Sequence, residues 1–332
     1  MLYVTTRSKH DTYTVHYANQ SDRGPDGGLY LPFRMPHFEH DALMSLKEQT
    51  FGQRVAIVLN RFFATQITGW DVELCAGKNP VKLVPMPNRI LLLECWHNHD
   101  MDFARLENAL SARVCEDLNG RKPTSWMRIA IRIAVLFAVY GELLASETCA
   151  INQSFDVSVA ASDFTAPMAA WYARFMGLPI GNIICSHETS AVWDLIHHGE
   201  MRTDVDIPEN LERLVCATLG VEENLRFCDL CEKGRVYATR PGDLDILRNG
   251  MYASVVSAER YFGLIPGVFH TTGHIFDEQT AAAYGGLQDY RAKKGETRPV
   301  LLISERSPVH SSKRIASAME IQEQELLRKL GE

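Results

Sequence analysis

The sequence predicts an α/β fold, and three observations carry that expectation. Leu91, Leu92 and Leu93 form a continuous apolar run that ends at Trp96 and opens into His97, Asn98, His99, Asp100, Met101 and Asp102. Such a run reads as a buried strand, and the polar burst after it as a strand-end loop, where α/β proteins place their sites. Further β-rich segments, Phe155 to Ala161, Ile180 to Ser186 and Val300 to Ser304, are separated by stretches of helical periodicity. The longest helical stretch starts near Thr124 or Ser125, either of which suits an N-cap. It carries Ile129, Ile133, Leu136, Phe137, Tyr140, Leu143 and Leu144 as one apolar stripe.

In chain order, Leu2 to Thr6 is a β-branched strand, and Pro25-Asp26-Gly27-Gly28 has turn chemistry. Residues 40 to 85 read as helices, with Leu43, Leu46 and Phe51 and then Val55, Val58, Leu59, Phe62 and Phe63 at helical spacing. Pro80, Pro85 and Pro87 punctuate the approach to the Leu91 strand, and a domain boundary is placed there, at 85/86. A helix is expected from about Thr165 to Met176 with Gly177 as its stop. Pro208 and Glu209 read as a helix start with proline in the first turn. Residues 225 to 290 read as mostly helical, and a charged helix closes the chain.

Composition narrows the function classes. A chain of 332 residues with 46% apolar and 23% charged residues can bury a large core. A net charge of -7 leaves no basic footprint for nucleic acid. The greasiest stretch, Ile129 to Ala145, contains Arg132 and Glu142 and falls short of a membrane span. The polar, strand-like start MLYVTTRSKHD does not read as a signal peptide, and eight scattered cysteines suit a reducing compartment, so a cytoplasmic protein is expected. No Gly-x-Ser-x-Gly elbow, P-loop or dinucleotide fingerprint is present.

Several segments, taken together, resemble threonine synthases. Tyr3-Val4-Thr5-Thr6-Arg7 is followed by Gly24-Pro25-Asp26-Gly27-Gly28-Leu29-Tyr30-Leu31-Pro32, which is similar to the N-terminal signature of that family. Leu93-Glu94-Cys95-Trp96-His97 resembles the lead into the family's Phe-Lys pair. Ala160 to Pro179 lies without gaps on its phosphate loop, helix and Gly-Leu-Pro ending. Asn210, Glu212, Arg213 and Leu214, Phe276 to Tyr284, and Ser307-Pro308 match later family motifs in order. The resemblance implies a small N-terminal α+β domain (1–85) followed by a tryptophan-synthase-β-like (fold type II) open sheet (86–332). It implies pyridoxal phosphate as cofactor, and a phospho-lyase activity of amino-acid biosynthesis acting on O-phosphohomoserine. Arg128 falls on the arginine that helps hold the substrate phosphate, and Glu305 on the threonine that faces the cofactor ring nitrogen.

The departures are as specific as the matches. The Schiff-base lysine is Ala104. Ser162 and Thr165 replace the two glycines of the phosphate loop, and Asp163 replaces its asparagine. An aspartate ~4 Å from a phosphate costs about 4 kcal/mol at an effective dielectric near 20. The block that bears the family's Ser-Gly-Asp-Thr-Gly loop is absent, which implies a truncated sheet that lacks one lobe, deleted between about 104 and 124. The expectation is a pseudoenzyme without cofactor or catalytic residue. Its remnant pocket, at Arg128, His97, Ser125, Ser162 and Asp163, would hold a small acidic or phosphorylated ligand or a partner protein. The surface left by the lobe would be repolarised or used in a homodimer. The alternative is a repurposed enzyme site in which His97, His99, Asp100 and Asp102 bind a metal. A second metal set would be Cys228, Cys231, His270 and His274, with both histidines on one helical turn.

Overall fold

The computed structural model describes residues 1–96, 102–115, 121–295 and 297–331. The N-terminal part comprises β1 (Leu2–Thr5), β2 (Tyr13–Thr14), α1 (Val15–Gln20), β3 (Tyr30–Pro32), α2 (His40–Ser45), α3 (Phe51–Phe63) and α4 (Gly69–Ala76). Next come β4 (Lys82–Met86), β5 (Ile90–Glu94), α5 (Phe103–Val114), α6 (Ser125–Ala145), β6 (Phe155–Ala160), α7 (Thr165–Phe175), β7 (Ile180–His187) and α8 (Ala191–His198). The rest is β8 (Glu200–Met201), α9 (Leu211–Leu219), α10 (Val221–Glu232), β9 (Tyr237–Ala238), α11 (Asp243–Leu247), β10 (Met251–Val255), α12 (Ala258–Thr272), α13 (Glu278–Lys294), β11 (Val300–Ser304), α14 (Ser312–Ala318) and α15 (Glu323–Leu330).

Six strands form the central sheet in the order β10-β7-β6-β11-β5-β4, parallel except for β4, which runs antiparallel to β5. Its middle strands are apolar on both faces, which is why Leu91 to Leu93 run without alternation. Leu93, Leu301 and Ile303 belong to the core on the α6 side. Ile90, Leu92 and Leu302 belong to the core on the side that contains Ile265 of α12 and Leu287 of α13. The three-stranded sheet β2-β1-β3 stands apart from the large sheet, yet Tyr3, Val55 and Phe62 share one continuous core with α6.

Local sequence accounts for many element ends. Thr50 and Thr68 each form a capping box, with Gln53 and Asp71. Thr124 caps α6 and Ser257 caps α12. The apolar residues of α6 are buried all round the helix rather than along one stripe, as befits a helix wrapped by its neighbours. Trp126 anchors it: its indole N–H donates to the Tyr3 hydroxyl at 3.1 Å, and that hydroxyl donates to the Phe62 carbonyl at 2.8 Å.

Four expectations are corrected. Residues 82–86 are a strand, β4, not helix. Pairing with β5 decides its state, since Pro85 is acceptable on an edge strand. Residues 251–255 are also a strand of the large sheet, inside the region read as helical. Helix α9 begins at Leu211, so Pro208 precedes it and accepts from the Leu211 N–H at 3.0 Å. Finally, α12 ends at Thr272 with Gly273 as its left-handed cap, so His270 and His274 do not share a helical turn.

Candidate ligand-binding site

A cavity of about 390 Å³ opens at the carboxyl ends of β5, β6 and β11, the usual place for a site in an open α/β sheet. Its walls carry Asp102, Ala104, Glu107, Arg128, Arg132, Ser162, Asp163, Gln279, Glu305, Arg306 and His310 among others. Helix α5 brings Ala104 and Glu107, the first turns of α6 bring Arg128 and Arg132, and the loop after β6 brings Ser162 and Asp163.

The two arginines of α6 are held by carboxylates of the chain itself. Arg128 bonds Glu107 at 3.1 Å and Asp163 at 2.8 Å. Arg132 pairs with the other oxygen of Glu107 and makes a two-point contact with Glu305, at 2.8 Å for each bond. Its guanidinium also lies 4.5 Å from the Phe103 ring centre. Burial by itself would lower the Arg132 pKa, but Glu305 and Glu107 outweigh it and hold the pKa above its ordinary value. Spacing on α6 explains part of this: Arg128 and Arg132 are four residues apart and share one face.

Asp163 sits just before the N-terminus of α7. One of its oxygens accepts from the Thr165 N–H at 3.0 Å, at the very start of α7, and the other meets Arg128. Burial pushes its pKa up, but Arg128 and the Thr165 bonds pull harder, and it ends below the usual aspartate range. The helix N-terminus and the arginine thus already share an anion, supplied in cis. Phe164, next in the loop, is left-handed with φ 60° and fully buried.

Other expected site residues are placed differently. Ser125 is buried at the start of α6 and is not among the cavity walls. Its hydroxyl accepts from Arg213 at 2.7 Å. Ser162 lines the cavity and is exposed. Asp102 caps α5 through the Arg105 N–H at 2.8 Å and meets His310 at 3.2 Å. His97, His99 and Asp100 lie outside the described residues. Among the described residues no group of three or more His, Cys, Asp or Glu is placed to hold a metal. The second metal set is not assembled. Cys228 and Cys231 are on α10, with burial raising their pKa values to about 12 and about 11, and His274 lies 3.5 Å from Glu94.

Sequence reasoning missed Glu107, Arg132, Gln279, Arg306 and His310 as cavity residues. Charged residues on helices ordinarily read as solvated, and only the Arg128/Arg132 spacing gave a local signal.

The N-terminal signature meets α9 in a separate polar cluster. Glu212 accepts from Thr6, from Arg7 at 3.4 Å and from Arg23 at 3.0 Å. Gly28 lies so close to β1 that a Cβ there would stand 2.8 Å from the Arg7 nitrogen. Arg213 is fully buried and donates to the Tyr30 carbonyl, the Ser125 hydroxyl and the Asn210 side chain. Asn210 in turn donates to the Asp163 carbonyl at 3.1 Å and to Thr165 at 3.0 Å.

Comparison with known proteins bears on the fold. Residues 2–78 match the family described as threonine synthase N terminus. The whole chain has the fold of a threonine synthase, and this likeness is to proteins of low identity. The threonine synthase of Brucella melitensis, solved with PLP bound, superimposes with a TM-score of 0.79 at 17% identity, over 97% of this chain and 92% of that one. The yeast threonine synthase gives 0.78 at 15% identity, over 99% and 94% of the two chains. The Escherichia coli enzyme gives 0.65 at 15% identity with the same coverage. The chain has a threonine-synthase-like fold. No described helix is long and apolar enough to cross a membrane. Pyridoxal phosphate, which the Brucella protein holds, finds a poor counterpart in these residues: among the described residues no lysine lines the cavity, Ala104 presents a methyl group, and Asp163 fills the α7 N-terminus.

Proposed function

We propose that this threonine-synthase-like chain has given up cofactor-dependent lyase chemistry and serves as a binding protein for a small acidic ligand. One observation carries the reading. The position that would bear the cofactor lysine is an alanine on the wall of the cavity, beside a helix N-terminus that Asp163 already occupies. Without a lysine amine there is no covalent attachment and no electron sink.

The polar groups still open to a ligand support its class. Glu107, Asp163 and Glu305 neutralise Arg128 and Arg132. Arg306 lines the same cavity and forms no ion pair among the described residues, and Gln279 and Ser162 add an amide and a hydroxyl. A carboxylate or phosphate of small size suits that trio. The loss of a lobe between about 104 and 124 belongs to this reading.

Titration of the purified protein with pyridoxal phosphate, followed by absorbance and by mass, tests the loss of chemistry. The expected result is no aldimine band and no lysine adduct, with Ala104→Lys as the control for what an amine at that place would do. A stoichiometric adduct on one lysine of the wild-type chain would overturn the reading. Arg306→Gln should abolish any stabilisation of the protein by added phosphate or small dicarboxylates.

A further inference from the structure

A second and larger cavity, about 820 Å³, lies at the opposite, amino-terminal end of the sheet. Leu83, Pro85, Leu91 and Leu301 form one wall, and Val139 and Leu143 of α6 form the other. Its volume is within the range of small-molecule sites, and its lining is mainly apolar.

Charge and edge chemistry narrow the occupant. The one carboxylate on the walls, Glu142, is taken by Arg54 at 2.9 Å. The cations on the walls are Lys82 and Arg89, so the unpaired charge around this cavity is positive. Lys82 stands across the ladder from Glu94. Arg89 is exposed where β5 and β11 begin, spends one bond at 3.1 Å on the Thr297 carbonyl, and has no carboxylate partner among the described residues. The rim strand β4 is the sheet edge, and Pro85 in its middle removes an N–H that a docking strand would need. A peptide added as a further strand is therefore disfavoured, and a compact chain molecule is not.

We propose that this cavity binds an amphipathic anion, a small molecule with a long apolar body and one carboxylate, with the body between the sheet and α6 and the head at Arg89. Cys149 reports on it, since its buried thiol lies on the cavity wall. The site is separate from the cavity at the carboxyl ends of the strands, and pyridoxal phosphate titration does not address it.

Calorimetric titration of the full chain with dodecanoate tests the proposal. Saturable one-to-one binding is expected well below the concentration at which the probe aggregates. Affinity should fall about fourfold for each methylene removed. Arg89→Gln should weaken dodecanoate at least tenfold and leave dodecanol unchanged. In the wild-type chain, dodecanoate should slow alkylation of Cys149 and leave that of Cys75 unaltered, a readout that needs no variant. No saturable binding, binding only of aggregated probe, equal binding by Arg89→Gln, or an unprotected Cys149 would each overturn it. So would a dimer whose formation excludes the probe, which would assign the face to a second copy.

Discussion

Two arginine clusters sit within one loop of each other and are built on opposite principles. Arg213 is sealed in the interior, and its bonds go to neutral acceptors: the Tyr30 carbonyl, Ser125 and Asn210. Burial lowers its pKa, despite the negative groups around it. Arg128 and Arg132 instead face a cavity and are matched by carboxylates from α5, the β6–α7 loop and the end of β11. Asn210 links the two clusters by holding the Asp163 carbonyl. The difference teaches how one residue type can either tie a fold together or face a cavity, depending on its partners. The first cluster ties the N-terminal signature to α9 and supports the architecture. The second lines a cavity, and there the chain's own carboxylates supply the negative charge.

The largest expected effect comes from breaking the first cluster. Arg213→Ala takes the donor away from the Tyr30 carbonyl, Ser125 and Asn210 and leaves only the 3.4 Å contact from the Ser125 hydroxyl to Asn210; at about 1–3 kcal/mol for each buried group, a loss of about 3 kcal/mol or more is expected. Denaturant unfolding with an unchanged slope would read it; a loss below about 1 kcal/mol would mean that the cluster does not hold the fold. Arg132→Gln should cost less, about 2–4 kcal/mol, because Glu107 and Glu305 lose their partner in a cavity that water can reach. Restoration by Glu107→Gln in the same chain would show that the cost is uncompensated charge rather than lost packing. A double-mutant cycle measures this directly.

A smaller effect is expected at Asp163, and its sign with pH is fixed. Its pKa is lowered in the folded chain, so its contribution to stability is present above the unfolded value, near ~3.9, and is lost as pH falls through the lower folded value. Asp163→Asn should therefore flatten the acid limb of the stability curve and remove a modest contribution near neutrality, modest because the side chain is partly exposed. The same variant vacates the α7 N-terminus and one side of Arg128. Inorganic phosphate should then raise its melting temperature more than it raises that of the wild type; equal responses would remove the idea of an internal anion. The smallest effect is none at all. Cys228→Ser with His274→Ala should not alter the metal content of the purified protein, since those groups are on different elements and join no metal cluster among the described residues. A stoichiometric loss of zinc would contradict the placement.

Much of the molecule follows from the sequence alone, because it depends on local pattern or on residue identity. The buried strands β5, β6, β7 and β11 are legible as apolar runs, α6 and α7 by their periodicity and ends, and the tight Gly27–Gly28 turn by its glycines. That position 104 is alanine and position 163 aspartate can be read without a structure. Only the tertiary structure decided the rest. Strands β4 and β10 exist because a neighbouring strand supplies their hydrogen bonds, and five residues have no strong preference of their own. The motif at 208–214 reads locally as helix-start chemistry, and only packing shows Glu212 and Arg213 reaching the N-terminal signature. The partners of Arg128 and Arg132 come from three segments far apart in the chain. Charge pairing is a property of distance in space, and no spacing along the sequence could have assigned it.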